Sequence, residues 1–414
     1  MRLLVISQYF WPESFIISDL VRTLRDQGHT VVVATGKPNY PDGRVFDGYR
    51  AGGTQHEKFD STIDVYRVPM QPRGASGGLN LFLNYLSFAF SGALRFPRLL
   101  AGFEPEAIVV FAPSPIISAI PAIPLKWIKR AHLAIWIQDL WPESLAATGH
   151  IRNRLALGVV AGVVRAIYAC ADTLLVQTRA FTAPVARLAA ADKIVYYPNS
   201  VRIDSKVDDA ETLLPEELTR TLHANFCVVF AGNVGSVQAV PTVVDAASLL
   251  RDLPGVRIVI IGSGSMSAWI EEQRRTRPLD NLLTIGRLPM STMPAVFRRA
   301  GALLVTLNRD ETLARTVPSK LQAYLAAGKP IVAALDGEGA RLVIEARAGL
   351  ACPAEDAPAL AQAVRSMYGM SDTERTAMGE AGKAYFMENF EMSRQAERLV
   401  EILEARMSGR GSAA

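Results

Sequence analysis

A short strand–helix–strand unit near residue 320 constrains the fold more than any other stretch of the sequence. Residues 302–307 form an apolar run of strand length, and residues 331–334 form a second one. Between them, Pro318 and Ser319 favour the start of a helix, and Gly328 favours its end. Two strands joined through one helix lie parallel, so the unit predicts a doubly wound α/β sheet.

The start of that helix is the first candidate site. In open parallel sheets, ligands bind beyond the carboxyl ends of the strands, where helix N-termini present unpaired N–H groups. Ser319 and Lys320 fall in the first helical turn, and Lys320 adds a full positive charge. We therefore expect a phosphate group to bind there.

The composition is that of a globular protein. The chain has 414 residues, 50% of them hydrophobic and 20% charged, and this length favours two domains of roughly 200 residues. The net charge of +4, without a basic stripe interleaved with aromatics, argues against nucleic acid as a partner. Three widely spaced cysteines favour buried thiols in a reducing cytosol over disulfides or a metal site. No Asp-x-Asp motif or close histidine pair suggests a metal.

The domain boundaries follow from composition. Residues 201–222 are polar, carry an acidic run at residues 208–211 and have no strand pattern, so we expect a linker there. The first domain then covers residues 1–200 and the second residues 223–387. Residues 388–414 are the end of the chain and predict a final helix.

The first domain begins with a strand rather than a signal peptide. Residues 3–7 are apolar, but Trp11-Pro12-Glu13 follows too soon for the apolar core of a signal peptide. A helix at residues 16–27 and a strand at 30–35 complete a β-α-β start. No G-x-G-x-x-G follows the first strand, so the dinucleotide fingerprint is absent.

The tetrapeptide Trp-Pro-Glu-Ser occurs twice in this domain, each time after a predicted strand. Residues 11–14 and 141–144 carry it. Parallel strands end at one edge of a sheet, so these loops place carboxylates and aromatic rings, which suit sugar hydroxyls and ring faces, at one rim. Turn chemistry and helix capping by Ser and Glu remain the alternative. The candidate binding residues at this rim are Tyr9, Glu13, Asp139, Trp141 and Glu143, with Asp139 also the candidate for a catalytic polar or base role.

Glycine turns after predicted strands mark the second domain as the anion-binding half. Glycine lets backbone N–H groups approach a phosphate closely, although many βα turns contain such a pair. Cations or carboxylates on the neighbouring loops complete the candidate set. The candidate residues of this anion-binding half are Gly232, Asn233, Gly235, Gln238, Gly262, Gly264, Arg287, Arg309, Glu311, Pro318, Ser319 and Lys320, with Lys320 also a candidate for catalysis.

Two uncharged segments require a decision about membranes. Residues 74–94 carry one polar stripe at helical spacing (Asn80, Asn84, Ser87, Ser91, then Arg95 and Arg98), which argues against a span. Such a helix is either buried on the sheet, the favoured alternative, or partly inserted in a membrane interface. Residues 108–125 are broken by four prolines and lead into the basic cluster 126–130, which is either a solvated helix end or a contact with anionic lipid.

Several motifs together resemble those of family 4 retaining glycosyltransferases. The match covers nearly the whole chain. The Trp-Pro-Glu-Ser loops and Gly232-Asn233 narrow it towards bacterial fucosamine-transferase and colanic-acid-type enzymes of surface polysaccharide synthesis. The motifs are Gly28-His29-Thr30-Val31-Val32-Val33, Pro198-Asn199, Ile261-Gly262-Ser263-Gly264, Ile285-Gly286-Arg287-Leu288-Pro289, Pro318-Ser319-Lys320 and Ala327-Gly328-Lys329-Pro330.

The resemblance implies the GT-B architecture, two facing Rossmann-like domains. It implies metal-independent transfer, with retention and without a cofactor, of a sugar such as an N-acetylated deoxy-sugar (fucosamine) from a nucleotide diphosphate donor such as a UDP-sugar. The second domain would bind the donor and the first the acceptor, a polyprenyl-diphosphate-linked glycan of O-antigen, lipopolysaccharide or exopolysaccharide synthesis. The protein would be cytoplasmic, with peripheral contact at the inner face of an anionic cell membrane. The last helix would cross back to the first domain.

The chain departs from the family pattern at charged positions. The two glutamates expected seven residues apart, the second of which binds the donor ribose, are Arg315 and Ala323. The diphosphate-binding Arg and Lys fall on Asn233 and Gln238, and an acceptor-side histidine falls on Gln138. Glu311, Arg287, Arg309, Arg315 and Lys320 lie on loops able to supply the missing charges. A nucleotide-sugar epimerase of the same fold and a non-catalytic transferase partner remain alternatives.

Overall fold

Both parallel sheets predicted from the sequence are present in the structure, a computed structural model that describes residues 1–74, 78–147, 153–202 and 214–411. The chain divides into two compact units. The first comprises Met1–Arg202 together with Met392–Ala414, and the second comprises Ile203–Glu391. The expected linker 201–222 therefore begins at the division, although residues 203–213 lie outside the described residues.

The first unit is built on an eight-stranded sheet. Its strand order is β3-β4-β2-β1-β5-β6-β7-β8, and every neighbouring pair is parallel except β3 with β4. Its elements are β1 (Arg2–Ser7), α1 (Ile16–Asp26), β2 (Thr30–Thr35), β3 (Gln55–Phe59), β4 (Ile63–Arg67), α2 (Gly78–Leu99), β5 (Ala107–Ala112), α3 (Ala122–Lys129), β6 (His132–Ile137), α4 (Glu143–Ala147), α5 (Arg154–Cys170), β7 (Thr173–Val176), α6 (Thr182–Ala186) and β8 (Ile194–Tyr196).

The second unit is built on a six-stranded, fully parallel sheet. Its strand order is β11-β10-β9-β12-β13-β14. Its elements are α7 (Glu216–Ala224), β9 (Phe226–Ala231), α8 (Val240–Leu249), β10 (Val256–Ile261), α9 (Ser267–Thr276), β11 (Leu282–Ile285), α10 (Met293–Arg299), β12 (Ala302–Thr306), α11 (Glu311–Ala314), α12 (Ser319–Ala326), β13 (Ile331–Ala334), α13 (Glu338–Glu345), β14 (Gly349–Cys352), α14 (Ala357–Gly369) and α15 (Asp372–Asn389).

The final helix, α16 (Met392–Gly411), completes the first unit. It packs against α1, because Met392, Leu399 and Leu403 lie in the same buried cluster as Leu20 and Leu24. The opposite face of this sheet is covered by α2, α3 and α5, whose inward side chains share a second cluster. Because helices cover both faces of the sheet, ligands can approach it at the ends of the strands.

Two parts of the chain differ from the sequence prediction. The antiparallel pair β3–β4 is not among the predicted strands. β3 is the polar sequence QHEKF at the sheet edge and lacks an apolar pattern. Helix α7 begins at Glu216, inside the expected linker. Acidic residues in its first turn and the buried pair Leu218 and Leu222, four residues apart, explain its formation.

Helix α2 also differs from the favoured prediction. The sequence favoured a helix buried on the sheet, but large apolar residues of α2, including Leu79 and Phe90, are exposed. The inward positions are filled by Asn84, Phe88 and Phe96 instead. No helix within the described residues is long and apolar enough to cross a membrane.

Candidate functional site

At the carboxyl ends of the strands of the second sheet, two glycine-containing loops lie side by side and are joined by backbone hydrogen bonds. The loop after β9 and the loop after β10 share backbone hydrogen bonds, with Gly232 N donating to Ile261 O at 2.9 Å and Val234 N to Ser263 O at 3.1 Å. Gly232 and Gly262 have φ of +138° and +141°. A Cβ on Gly262 would lie 1.9 Å from the Gly232 carbonyl oxygen, so only glycine fits.

These loops lie where the strand order reverses. β9 is flanked by β10 on one side and β12 on the other, which makes its carboxyl end the switch point of the sheet. Gly235 and Gly264 lie against the side chain of Asn233, because a Cβ on either would approach its Nδ2 or Oδ1 atom to less than 3 Å. The predicted residues Gly232, Asn233, Gly235, Gly262 and Gly264 are thus brought together.

Lys320 reaches this switch point from the first turn of α12. Its Nζ donates to Gln238 Oε1 at 2.9 Å and lies 3.8 Å from the centroid of the Phe230 ring. A Cβ on Gly232 would lie 3.4 Å from the same nitrogen. Burial lowers the pKa of Lys320 to about 8. Among the described residues no carboxylate pairs with Lys320, so a partly desolvated cation is left with two spare donors.

Helix α12 adds backbone donors beside the lysine. Pro318 is its N-cap residue and no side chain caps the helix, so its first N–H groups remain available. Ser319 is exposed at that end. The helix end and Lys320 together make a positive site, because the partial charge of a helix N-terminus adds to the ammonium charge.

A cleft of about 170 Å³ continues from the glycine loops towards β11. Gly262, Ser263 and Gly286 line it with backbone and hydroxyl groups, and Ile285 and Ile270 line it with apolar surface. Such a mixture suits a flat heterocycle held by a few polar contacts.

The remaining charged candidates divide into free and engaged groups. Arg287 is exposed just after β11, on the same edge of the sheet. Arg309 instead donates to Ala354 O at 2.9 Å and pairs with Asp336 at 3.4 Å, on the β13–β14 side. Glu311 pairs with Arg315 on the short helix α11. Glu311 is therefore already paired with a cation, and Ala323, at the position where the resemblance predicted a carboxylate, has none.

The first Trp-Pro-Glu-Ser loop of the first unit is held by a buried carboxylate. Glu13 is only 4% exposed and accepts hydrogen bonds from the backbone N–H groups of Phe10, Asn39 and Tyr40, at 2.8 to 3.1 Å. Burial raises the pKa of Glu13 to about 7. The fully buried Arg67 donates to the carbonyl oxygens of Trp11 and Gly36. Glu13 thus ties the loop after β1 to the loop after β2.

A polar cluster that the sequence did not predict lies beside that loop. Arg73 Nη1 donates to the Tyr9 hydroxyl at 3.2 Å, and its guanidinium lies 5.0 Å from the Tyr40 ring centroid. Asn84 of α2 accepts from Gln8 at 2.8 Å. Burial raises the pKa of Tyr9, so its hydroxyl stays neutral. The signal for Asn84 was its place in the polar stripe of this helix, but Arg73 lies in an irregular loop without a pattern.

The second Trp-Pro-Glu-Ser loop follows β6 and is bonded within itself. The Asp139 carboxylate accepts from the Ser144 hydroxyl and, at 3.1 Å, from Trp141 Nε1. Trp141 also donates to Ser114 Oγ at 3.3 Å. Glu143, at the start of α4, receives no hydrogen bond from the described residues. The loop therefore fixes Asp139 at the strand end by turn contacts.

The first unit has its own switch point, between β1 and β5. The loop after β1 lies there, and β6 ends on the same edge one strand further along. The charges of Arg73 and Asp139 both act on Tyr85 of α2, whose pKa is raised by burial, so the loop after β4 and the loop after β6 both lie near this helix. In the part of the chain that the structure describes, no group of three or more His, Cys, Asp or Glu side chains is arranged to bind a metal ion.

Two domain families match this chain. Residues 15–200 match the glycosyl transferase 4-like domain, and residues 225–369 match the family described as glycosyl transferases group 1. The chain belongs to these glycosyltransferases, family 4 with the GT-B architecture.

A curated relative and two solved structures extend the match over most of the chain. WcaI of Escherichia coli (strain K12), named as a colanic acid biosynthesis glycosyl transferase, is 26% identical over 79% of this chain and 82% of its own. Sucrose-phosphate synthase from Thermosynechococcus elongatus superposes with a TM-score of 0.68 at 17% identity, over 99% of both chains. HepE of Anabaena in complex with UDP gives a TM-score of 0.64 at 12% identity, over 98% of this chain and 100% of its own. The fold of these structures is thus shared.

Proposed function

We propose that the second unit binds the diphosphate of a nucleotide-sugar donor at the switch point of its sheet. The observation that carries this proposal is Lys320, a desolvated ammonium beside the Gly232 turn with Gln238 as its polar partner. A charge held out of water is costly unless an opposite charge joins it. A diphosphate bound against Lys320 and the first N–H groups of α12 supplies that charge.

The nucleoside of the donor occupies the adjoining cleft in this proposal. The cleft of about 170 Å³ begins at Gly262, next to the proposed diphosphate position, and ends at Gly286 and Thr284. HepE of Anabaena has been solved with UDP, which makes UDP the first nucleotide to test. Arg287, exposed on the same edge, is available to the phosphates or the base.

The proposed reaction transfers the sugar with retention and without a metal. The bond from the anomeric carbon to the diphosphate oxygen breaks, and a bond from that carbon to the acceptor oxygen forms on the same face of the ring. The acceptor hydroxyl proton leaves to the departing diphosphate. Lys320 and the α12 amides stabilise the negative charge that grows on this leaving group, which is where preorganised donors lower a barrier most. Activity should persist in EDTA.

The first unit binds the acceptor in this proposal. Tyr9 and Tyr40 offer aromatic faces, and Arg73 offers a cation beside them. Asp139, fixed at the end of β6, offers a carboxylate to the acceptor hydroxyl, with Trp141 and Glu143 next to it. Glu13 acts through the loops that it joins.

We take the acceptor to be a glycan linked to a polyprenyl diphosphate, in bacterial surface polysaccharide synthesis of the colanic acid, O-antigen or lipopolysaccharide kind. The similarity to WcaI, which is described as a colanic acid biosynthesis glycosyl transferase, supports this assignment. The cation of Arg73 suits an acceptor phosphate. Such an acceptor is anchored in a bilayer, so the protein works in the cytoplasm as a peripheral protein at the inner face of the cell membrane.

The experiment is a transfer assay with membranes that contain lipid-linked acceptors and a panel of nucleotide sugars, including UDP-linked N-acetylated deoxy-sugars such as fucosamine. We expect one sugar to appear in the lipid fraction only when protein, donor and membranes are all present. Conversion of the donor without membranes would instead indicate an epimerase. Absence of both transfer and UDP binding would indicate a non-catalytic partner and contradict the proposal.

A further inference from the structure

Helix α2 exposes six large apolar side chains, although it buries the polar residue Asn84 beside Phe88 and Phe96. Asn84 is fully buried and bonded to Gln8 and to the Gln71 carbonyl oxygen, whereas Leu79 is 71% and Phe90 70% exposed. A surface helix of a globular protein normally has the opposite arrangement. The exposed apolar residues of α2 are Leu79, Phe82, Leu83, Leu86, Phe90 and Leu94.

Helices α3 and α5 extend this apolar surface. Both pack on the same side of the first sheet as α2, through one shared core cluster. Lys129 at the end of α3 donates to Ala101 O just after α2, and Lys126 donates to Cys170 O at the end of α5. The three helices are therefore neighbours. Their exposed side chains, the six of α2 with Trp127, Ile128, Leu155, Val159 and Val163, are here called the three-helix face.

This concentration is not the usual scatter of single apolar residues. Among the described residues, 19 large hydrophobic side chains are exposed, and 11 of them belong to the three-helix face. Leu155 is 82% and Trp127 67% exposed. Contiguous apolar surface of this kind marks a site of interaction with a protein or a membrane.

The exposed charged residues on the three helices of this face are all basic, and the nearby Glu104, just after α2, is paired with Lys129. Helices α2, α3 and α5 contain no Asp or Glu. Arg95 and Arg98 are exposed near the end of α2, and Arg130 is exposed just after α3. A basic rim around an apolar surface is complementary to anionic lipid, where each basic residue contributes about 1 kcal/mol.

We propose that the three-helix face docks on an anionic lipid bilayer, with α2 lying in the plane of the interface. Helices of this kind insert their apolar face about 5–10 Å deep, and tryptophan is favoured at that depth. The start of α2 lies near the Tyr9–Asn84–Arg73 cluster, so a bilayer-anchored acceptor reaches that cluster directly. In this last respect the inference rests on the proposed function.

A second copy of the chain fits this face less well. A two-fold symmetric contact would bring two sets of arginines into one interface, and the three helices offer no carboxylate to pair with them. Phospholipid head groups supply that negative charge. The lipid surface is therefore the occupant that both the apolar area and the charge favour.

The test is sedimentation of the full chain with two kinds of vesicle, one of phosphatidylcholine alone and one of phosphatidylcholine with about 40% phosphatidylglycerol. The phosphatidylglycerol gives the second kind a strongly negative surface. We expect binding to the anionic vesicles, weakened at least 30-fold by Phe82→Ser with Phe90→Ser. Arg95→Gln with Arg98→Gln should weaken it about 30-fold, by two contributions of about 1 kcal/mol. The matched control, Met290→Ser with Ile344→Ser, removes two exposed apolar side chains of the second unit and should bind like the wild type.

Sedimentation velocity and circular dichroism separate the other outcomes. An unchanged far-ultraviolet spectrum and an unchanged melting profile of the Phe82→Ser, Phe90→Ser variant show that its first unit is folded, so its loss of vesicle binding reports on the face. No vesicle binding by the wild type overturns the inference. A wild-type dimer that the same substitutions dissociate overturns it in favour of a second copy. Vesicle binding without sugar transfer leaves the inference standing while the proposed transfer fails.

Discussion

The candidate sites of the two units lie at equivalent points of their sheets but are built from different materials. In the second unit the switch point is bordered by backbone, with Gly232 and Gly262 in contact and Lys320 paired with no carboxylate among the residues that the structure describes. In the first unit the switch point is filled by side chains that are already hydrogen-bonded. Glu13, for example, accepts hydrogen bonds from three backbone N–H groups.

This difference indicates different ligands. Exposed N–H groups and a spare cation suit a diphosphate, which is similar in every donor. A fixed arrangement of aromatic and polar side chains suits one particular acceptor, because specificity depends on contacts in defined positions. Substitutions in the second unit should therefore affect the donor, and substitutions in the first should affect stability and acceptor use.

The largest effect is expected for Gly262→Ala. Its Cβ would meet the Gly232 carbonyl oxygen at 1.9 Å, and its φ of +141° is strained for alanine. UDP affinity measured by calorimetry should fall more than 100-fold, and the free energy of unfolding should fall by about 2–4 kcal/mol. Gly369→Ala is the control, since Gly369 ends α14 and no atom lies within 4 Å of its Cβ position. Normal UDP affinity in Gly262→Ala would contradict the proposed role of the glycine loops in binding the donor.

Lys320→Ala should reduce turnover at least tenfold, towards the 100-fold typical of losing one preorganised donor. The protein should stay folded, because removal of a desolvated charge relieves a cost. Lys329→Ala is the matched control: Lys329 is also partly desolvated, with its pKa lowered by burial, but it follows the other end of α12. Initial rates with saturating acceptor measure both. Equal rates for wild type and Lys320→Ala would refute the role of Lys320.

The two Trp-Pro-Glu-Ser loops allow an internal comparison. Glu13→Ala leaves three buried N–H groups unpaired and should lower the free energy of unfolding by about 1–3 kcal/mol. Glu143→Ala removes a half-buried carboxylate that accepts no hydrogen bond from the described residues, and should change it by less than about 0.5 kcal/mol. Urea unfolding distinguishes them. Equal losses would mean that the two glutamates have the same structural role.

The smallest effect is a pH dependence of donor binding. Burial lowers the pKa of Lys320 to about 8, so the free protein loses this positive charge as the pH rises through 8. The diphosphate binds the charged form, so the Kd for UDP should increase about tenfold from pH 7 to pH 9. The Lys320→Met variant should lack this dependence. A wild-type Kd that is constant over this range would assign the anion site to another group.

The same shift has a consequence for stability. The unfolded chain keeps Lys320 protonated up to its ordinary pKa of 10.5, whereas the folded chain releases the proton near 8. The unfolded state therefore binds more protons between these values, and the contribution of Lys320 to stability rises with pH there. Thermal melts of wild type and Lys320→Met should converge as the pH approaches 10.5.

Much of the second unit was predictable from the sequence because its strands are continuous apolar runs. β12 and β13 lie within the predicted ranges 302–307 and 331–334, and α12 begins at Ser319, where Pro318 and Ser319 predicted a helix start. A parallel strand buried on both faces is a nearly continuous apolar run, so its ends are visible in the sequence. The glycines and Ser319 stood out because turns and helix starts require those residue types.

The first unit was less predictable because its site is made by tertiary contacts. Arg73 lies in a loop, and only the fold brings it to Tyr9. The spacing of Asn84 gave the helix but not the side that faces the sheet, because Asn84 is buried by its bonds to Gln8 and to the Gln71 carbonyl oxygen. The contact between Lys320 and Gln238 joins residues 82 positions apart, a distance that no local pattern encodes.

The most direct test of the central claim is a crystal structure of the chain with UDP. We predict a β-phosphate oxygen within about 2.7–3.2 Å of Lys320 Nζ and of a first-turn N–H of α12, with the uracil in the cleft between Gly262 and Gly286. UDP bound elsewhere on the second unit, with Lys320 still bonded only to Gln238, would contradict the account.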